Sequence, residues 1–276
     1  MKHILVAFDF SKNAFHALDY AMLFANKMEA DISLVWVDHT ATPEHQFSID
    51  HNLRIDTKTR LDEIIAEYST KAHHGKINQI LRKGKVCTEI ASVAKSIHAN
   101  LIFSGTHGTS GYEEYWVGSN AYRIVMTSPC PVVTIRNNFE FQDNIKKIVL
   151  PIDNSADTKL KLPYAAKIAR YFDAEILILL LYTLPINVIR KRIRHYADET
   201  ADFLEKEDIR HTLFEIDSDN MTTSLLEFTI EQHADLITIM TDQGTANGSM
   251  FLGPFSQQII NNASVPVLSV QSLANN

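Results

Sequence analysis

Cysteine is nearly absent from this chain: Cys87 and Cys130 are the only two among 276 residues. They lie far apart, with no CxxC and no Cys/His ligand spacing, which excludes a disulfide framework or a structural zinc site. Long apolar runs are also missing. The longest, residues 174 to 182, already contains Glu175 and falls well short of a membrane span. Basic residues are in deficit, 26 Lys and Arg against 33 Asp and Glu, for a net charge of −7. That balance suits neither nucleic acid nor anionic lipid, so no nucleic-acid and no membrane partner is expected. The opening MKHILVAFDFS turns polar too soon for a signal peptide, and a soluble cytoplasmic protein is expected. No Ser-His-Asp order, HExxH or paired acid/base motif occurs, and neither GxxxxGK[ST] nor GxGxxG.

What is present is a repeat. The run His3–Phe8 reads as a strand ending in Asp9, and Ser11 can cap a helix whose apolar residues Ala14, Phe15, Leu18, Met22 and Ala25 fall at helical spacing. A β-rich run, DISLVWV, comes next. The same order restarts at Lys147: KIVLPI, then Asp153, a cap at Asn154 or Ser155, a helix through Ala165, Ala166, Ala169 and Phe172, and the strand AEILILLLY. The ends match too, NLIFSGTHG with DLITIMTDQG and SPCPVVTIR with ASVPVLSVQ. Self-similarity over so long a period marks a duplication. The polar stretch 137–144 reads as a linker, which sets domains at 1–138 and 145–276.

Within each copy, apolar runs alternate with amphipathic helices. This predicts an α/β fold: two tandem open five-stranded parallel sheets, Rossmann-like, with helices on both faces. The strands are expected at 3–8, 31–37, 76–82, 100–105 and 131–136, then at 147–152, 174–182, 209–216, 235–241 and 265–270. Ligands of such sheets sit beyond the carboxyl ends of the strands, where Asp9, Trp36, Val37 and Gly105 all fall.

Glycine is scarce as well, with nine in the chain, yet Gly105, Gly108, Gly111 and Gly118 crowd into GTHGTSGYEEYWVGSNAYRI. Gly105 and Gly108 leave a strand where missing side chains allow close backbone approach. Gly118-Ser119-Asn120 opens a helix whose first N–H groups and dipole favour an anion. Tight turns alone would explain any one of these glycines. Four at a strand end and a helix start point instead to phosphate.

The pattern Gly105-x2-Gly108-x9-Gly118-Ser119, preceded by Asp9, together with Thr106-His107-Gly108 and PCPVV at 129–133, resembles the ATP-binding universal stress proteins, in a tandem two-domain form. The resemblance covers nearly the whole chain and implies the adenine nucleotide α-hydrolase-like fold. It implies that Asp9 contacts the adenosine of ATP and that the strand end at Trp36 and Val37 lines the adenine pocket. It further implies that Gly105, Thr106, His107, Gly108, Gly118, Ser119 and Asn120 hold the ribose and phosphates, with Mg²⁺ accompanying the ATP. The connector departs from the family in carrying Glu113 and Glu114 where basic residues are common. In the second copy Met240 stands for Gly105, Asp242 for His107, Gln243 for Gly108, Pro254 for Ser119 and Phe255 for Asn120. That loop is expected to have lost ATP while Asp153 survives; a shifted loop using Gly244 and Gly248 is the alternative.

Several residues carry two readings. Asp9 is a ligand group and a turn residue at once, since Asp153 recurs in the degenerate copy. His107 touches a phosphate or merely completes a turn. His39, His45 and His51 match no metal-ligand pattern and read as a solvated loop. Cys130, between two prolines, reads as a packed small residue, and Cys87 would be reactive only if exposed. Trp36 and Trp116 serve packing or the site. No catalyst is expected, and no acid or base is assigned. An ATP-binding stress-response regulator is the leading function, beside a slow ATPase using the same loop and a nucleotide-free interaction scaffold. The two copies are expected to form an internal pseudo-dimer, with homodimerisation and unidentified protein partners in addition.

Overall fold

A computed structural model describes residues 2–39, 50–106, 119–136, 143–241, 243–246 and 249–272. The chain divides into two compact units, Met1–Asn137 and Asn138–Asn276. The first contains β1 (Lys2–Ala7), α1 (Lys12–Met28), β2 (Ala30–Asp38), α2 (His51–Ser69), β3 (Ile77–Lys83), α3 (Val86–Ser96), β4 (Leu101–Gly105), α4 (Ser119–Thr127) and β5 (Val132–Ile135). Its strands pair in parallel in the order β3-β2-β1-β4-β5. Parallel neighbours need crossover connections, and the right-handed sense of these distributes the helices over both faces.

The packing obeys the sequence pattern. β1 buries Ile4, Leu5 and Val6 completely, as a central strand covered on both sides must. α1 turns Ala14, Ala17, Leu18, Ala21 and Ala25 inward; these mostly small residues bring its backbone close to the sheet. Its larger inward residues, Tyr20 and Phe24, meet Phe103 of β4 at ring-centroid distances of 6.2 and 5.1 Å. α2 lies beside α1, tied by the Tyr68 hydroxyl donating to Asp19 at 2.7 Å and by the Asn26 amide donating to Lys71 O at 3.1 Å. α3 packs on α4.

The second unit repeats the plan with β6 (Lys147–Ile152), α5 (Leu162–Phe172), β7 (Glu175–Tyr182), α6 (Asn187–Lys206), β8 (His211–Asp217), α7 (Met221–Glu231), β9 (Leu236–Thr241), α8 (Pro254–Asn262) and β12 (Val267–Gln271). Its parallel order is β12-β9-β6-β7-β8. All ten strands expected from the sequence are present, so the tandem α/β architecture stands. Two departures occur, both in the second unit. A short 3-10 turn, Ala156–Lys159, capped by the Ser155 side chain, precedes α5, and Pro163 sits in that helix's first turn. Between β9 and α8 an antiparallel hairpin intervenes, β10 (Gln243–Ala246) with β11 (Ser249–Leu252). Among the described residues, no helix is long and apolar enough to cross a membrane.

The duplication extends to strained backbone. α1 and α5 both end on an acidic residue in the left-handed region, Glu29 (φ 54) and Asp173 (φ 53), whose N–H groups reach back to Ala25 O and Ala169 O. His98 and His233, each at φ 50, repeat the device after α3 and α7. Glycine adopts this conformation without the ~1–2 kcal/mol penalty of an L side chain. Glu29→Gly and His98→Gly, both at exposed positions, are therefore expected to stabilise the protein by about 0.5–1 kcal/mol each in urea unfolding. A loss of stability would show that these side chains do more than cap.

Candidate functional site

The carboxyl ends of the first unit's strands terminate at different heights, and the difference shapes a crevice. β1 ends at Ala7, which pairs with Val35 of β2. β2 runs on to Asp38, paired through Trp36, Val37 and Asp38 with Leu81, Arg82 and Lys83 of β3. Phe8 N–H donates to Val35 O at 2.9 Å, so the backbone of Val35 faces β1; Gly84 N–H donates to Asp38 O at 2.9 Å, so that of Asp38 faces β3. By alternation Val37 directs its N–H and C=O towards β1, at a level where β1 has already ended. One donor and one acceptor of the same residue thus stand at the open edge of β2.

Asp9 lies beside this edge. Its side chain is exposed, and Oδ1 accepts the N–H of Ser11 at 3.0 Å. Ser11 in turn caps α1 by accepting from Ala14 N–H at 3.2 Å. Between them Phe10 is forced into the left-handed region, φ 64, at a cost of about 1–2 kcal/mol for a residue of this size. Its ring packs on Phe8 at 5.4 Å and carries the Arg60 guanidinium 4.0 Å from its centroid. Asp153 makes the same turn, accepting from Ser155 N–H at 2.8 Å. A turn role is therefore common to both copies. The strain is not: Asn154, in the place of Phe10, does not adopt positive φ.

At the next strand, Gly105 closes β4 against the first turn of α1. A Cβ there would lie 2.6 Å from Asn13 Cβ and 2.8 Å from the Asn13 carbonyl. The absent side chain thus admits a neighbouring helix. Thr106 is buried, and its N–H donates to Ile135 O at 3.0 Å within the sheet. Ser119 is the first residue of α4 and Asn120 is exposed in its first turn. His107, Gly108 and Gly118, with Glu113, Glu114 and Trp116, lie outside the described residues, as does His45. Trp36 is half-buried and Val37 buried; His39 and His51 are exposed.

A buried ion pair at the same level was not legible from the sequence. Lys83 Nζ meets Asp38 Oδ2 at 2.8 Å, with side chains 8% and 2% exposed. Charged residues at strand ends are ordinarily solvated; only the cross-strand register puts these two together. Gly84 comes next at φ 141, against the carboxylate of Glu89.

The second unit keeps the Asp153 turn but has rebuilt the strand ends around it. Register places Met240 where Gly105 stands, since Val270 pairs with Met240 as Ile135 pairs with Gly105. The hairpin β10–β11 takes the place of the glycine-rich loop, and the Asn-Gly pair at 247–248 in the sequence is a hairpin signal that could have announced it. In place of the Asp38–Lys83 pair, Tyr182 pairs with Asp217. Arg190 lies 3.9 Å over the Tyr182 ring and forms an ion pair with Asp217; Arg194 bridges Asp198 and Glu215. The Tyr182 hydroxyl donates to Glu215 at 3.0 Å, and burial followed by that carboxylate pushes its pKa to about 12.

A family model described as "Universal stress protein family" matches residues 1–136 and again residues 144–271. The chain belongs to the universal stress protein family. Universal stress protein YxiE of Bacillus subtilis is 30% identical over 147 residues, 48% of this chain and 97% of that protein. A putative universal stress protein of Staphylococcus aureus is 30% identical over 139 residues, 49% and 84% of the two chains. Among solved structures, a universal stress protein from Archaeoglobus fulgidus superposes over 98% of this chain and 96% of its own, with TM-score 0.76 at 18% identity. A protein from Pseudomonas aeruginosa gives TM-score 0.69 at 15% identity, over 98% and 92%. These structural likenesses concern the fold.

Neither cysteine of this universal stress protein is set up as a nucleophile. Cys87 is buried, and burial pushes the Cys130 thiol up to about 12. Cys130 is therefore expected to resist alkylation in the native protein at mildly alkaline pH and to react once the chain is unfolded, read by intact mass. Gly105→Ala is expected to destabilise by about 1–3 kcal/mol, because α1 must retreat from β4 to admit the methyl group. Chemical denaturation of that variant checks it, and unchanged stability would mean that the approach at Asn13 is soft.

Proposed function

We propose that the first unit binds ATP with Mg²⁺ and that the chain is a cytoplasmic nucleotide-binding regulator of the stress-response type. The unpaired edge of Val37 beside the exposed Asp9 carboxylate carries this reading. The edge offers a donor and an acceptor to the rim of an adenine, and the exposed Asp9 carboxylate, with Oδ1 engaged by Ser11, retains acceptor capacity suited to ribose hydroxyls. The first turn of α4, at Ser119 and Asn120, supplies N–H groups and the positive end of a helix dipole to phosphate. Gly105, Thr106, His107, Gly108 and Gly118 would frame the path between them. Membership of the family supports the reading without specifying the ligand.

The second unit, with Met240, the hairpin and the Arg190–Tyr182 stack in the corresponding places, acts through its surface rather than through a nucleotide. The nucleotide state of the first unit would alter what protein partners recognise. An internal pseudo-dimer of the two units and a further homodimer belong to the same proposal.

Titration of the purified protein with Mg-ATP, monitored by the fluorescence of Trp36 and Trp116, tests it. Saturable binding of a single equivalent per chain is expected, weakened about tenfold or more by Asp9→Ala, as loss of a charged hydrogen-bond partner implies. Two equivalents would restore a site to the second unit. A flat titration at millimolar nucleotide would overturn the proposal and favour a nucleotide-free scaffold.

A further inference from the structure

A polyphosphate held by an acidic chain gains from a side-chain cation beside its Mg²⁺, and the connector between Gly108 and Gly118 carries Glu113 and Glu114 instead. The cation can be sought at the end of β5. Ile135 pairs with Gly105 of β4, and the two share the face on which a Gly105 Cβ would meet α1. One residue further on, strand alternation sets Arg136 on the opposite face, and α4 packs on β5. α4 connects the carboxyl end of β4 to the amino end of β5, so its first turn lies at the same end of the sheet as Arg136. The guanidinium is half-buried, and no carboxylate pairs with it among the described residues. Burial pulls its pKa below the ordinary arginine value, the direction expected of a cation held without a counter-ion. An anionic ligand would reverse that direction.

The duplication supplies a natural comparison. Gln271 ends β12 as Arg136 succeeds β5, and it pairs with Thr241 beside Met240. The copy whose glycine-rich loop has been replaced by a hairpin has therefore also lost the charge at this position. A cation kept only for the fold of the sheet end would be expected in both copies.

We propose that Arg136 is the phosphate-binding cation of the first unit's nucleotide site, its guanidinium and the first turn of α4 together holding the terminal phosphates. This rests on the assignment of ATP to that unit and adds a residue outside the glycine-rich loop. A guanidinium matches phosphate with two parallel donors, which a lysine ammonium cannot reproduce.

The test compares Mg-ATP with adenosine on the full chain. Arg136→Gln, which installs the second unit's residue, is expected to weaken Mg-ATP binding by about tenfold or more while leaving adenosine affinity unchanged. Arg136→Lys is expected to fall between, and the salt dependence of ATP binding should flatten in the Gln variant. Equal thermal unfolding of the three proteins shows that the comparison is between folded chains. Equal ATP affinity in wild type and Arg136→Gln overturns the inference while leaving the nucleotide assignment intact. Parallel loss of ATP and adenosine overturns it in favour of a structural role. A wild-type protein that binds neither ligand removes the nucleotide assignment and this inference together.

Discussion

Where β4 ends, a helix turn and a strand backbone come closer than any side chain would allow. Gly105 leaves no room for a Cβ beside Asn13, and this approach fixes the first turn of α1 over the sheet. Ser11 caps that turn, Asp9 receives the N–H of Ser11, and Phe10 between them is driven to positive φ. The position of the Asp9 carboxylate is thus a consequence of how near α1 sits to β4. The buried alanines of α1 serve the same end, since bulkier residues would lift the helix from the sheet.

In the second unit that contact is given up. With Met240 in place of Gly105, the chain after Asp153 forms a 3-10 turn and delays its helix to Leu162. Lys161, only 2% exposed, lies in this altered segment, where its ammonium donates to Thr158 O and Oγ1 at 2.7 and 3.0 Å. Ser256 of α8 donates to Met240 O at 2.9 Å. Polar groups that would otherwise face a crevice are satisfied within the protein, as burial requires. The loss of the site is therefore a coordinated repacking of strand end, helix start and loop.

How much of this was readable beforehand depended on range in sequence. Ten strands, the cap at Ser11, and the helix from Ser119 to Thr127 arise from local periodicity and local hydrogen bonding, and those signals lie within a few residues of one another. Ser155 caps a 3-10 turn in place of the helix its position suggested. The Asp9 and Asp153 turns could be inferred because the duplication displayed them twice. The role of Gly105 could not, because its cause is Asn13, a residue of another element. The Asp38–Lys83 pair and the Arg190–Tyr182 stack depended likewise on cross-strand register and on a helix face, which composition does not encode. The hairpin in the second unit had a local signal in Asn247-Gly248, but reading that segment as a decayed copy of a glycine-rich loop obscured it.

The buried ion pair bears directly on the open edge of β2. Taking two charges out of water is costly, and such pairs are poor sources of net stability, though removing one partner costs about 3–5 kcal/mol. Asp38 and Lys83 are nevertheless enclosed at the tip of the sheet, where solvated residues would be cheaper. Their effect is geometric. The side-chain pair, with Gly84 N–H on Asp38 O, holds the last residues of β2 against β3 in one register. Without support from β1 at this level, β2 would otherwise be anchored on one side only by its ladder hydrogen bonds. A slip of a single residue would turn the Val37 backbone groups away from β1's side and towards β3. The second unit holds its strand end through Tyr182, Arg190 and Asp217, with the cation supplied by a helix rather than by the edge strand. That arrangement keeps the register on the β8 side and covers the Tyr182 ring with a guanidinium, where the first unit encloses a carboxylate and an ammonium instead.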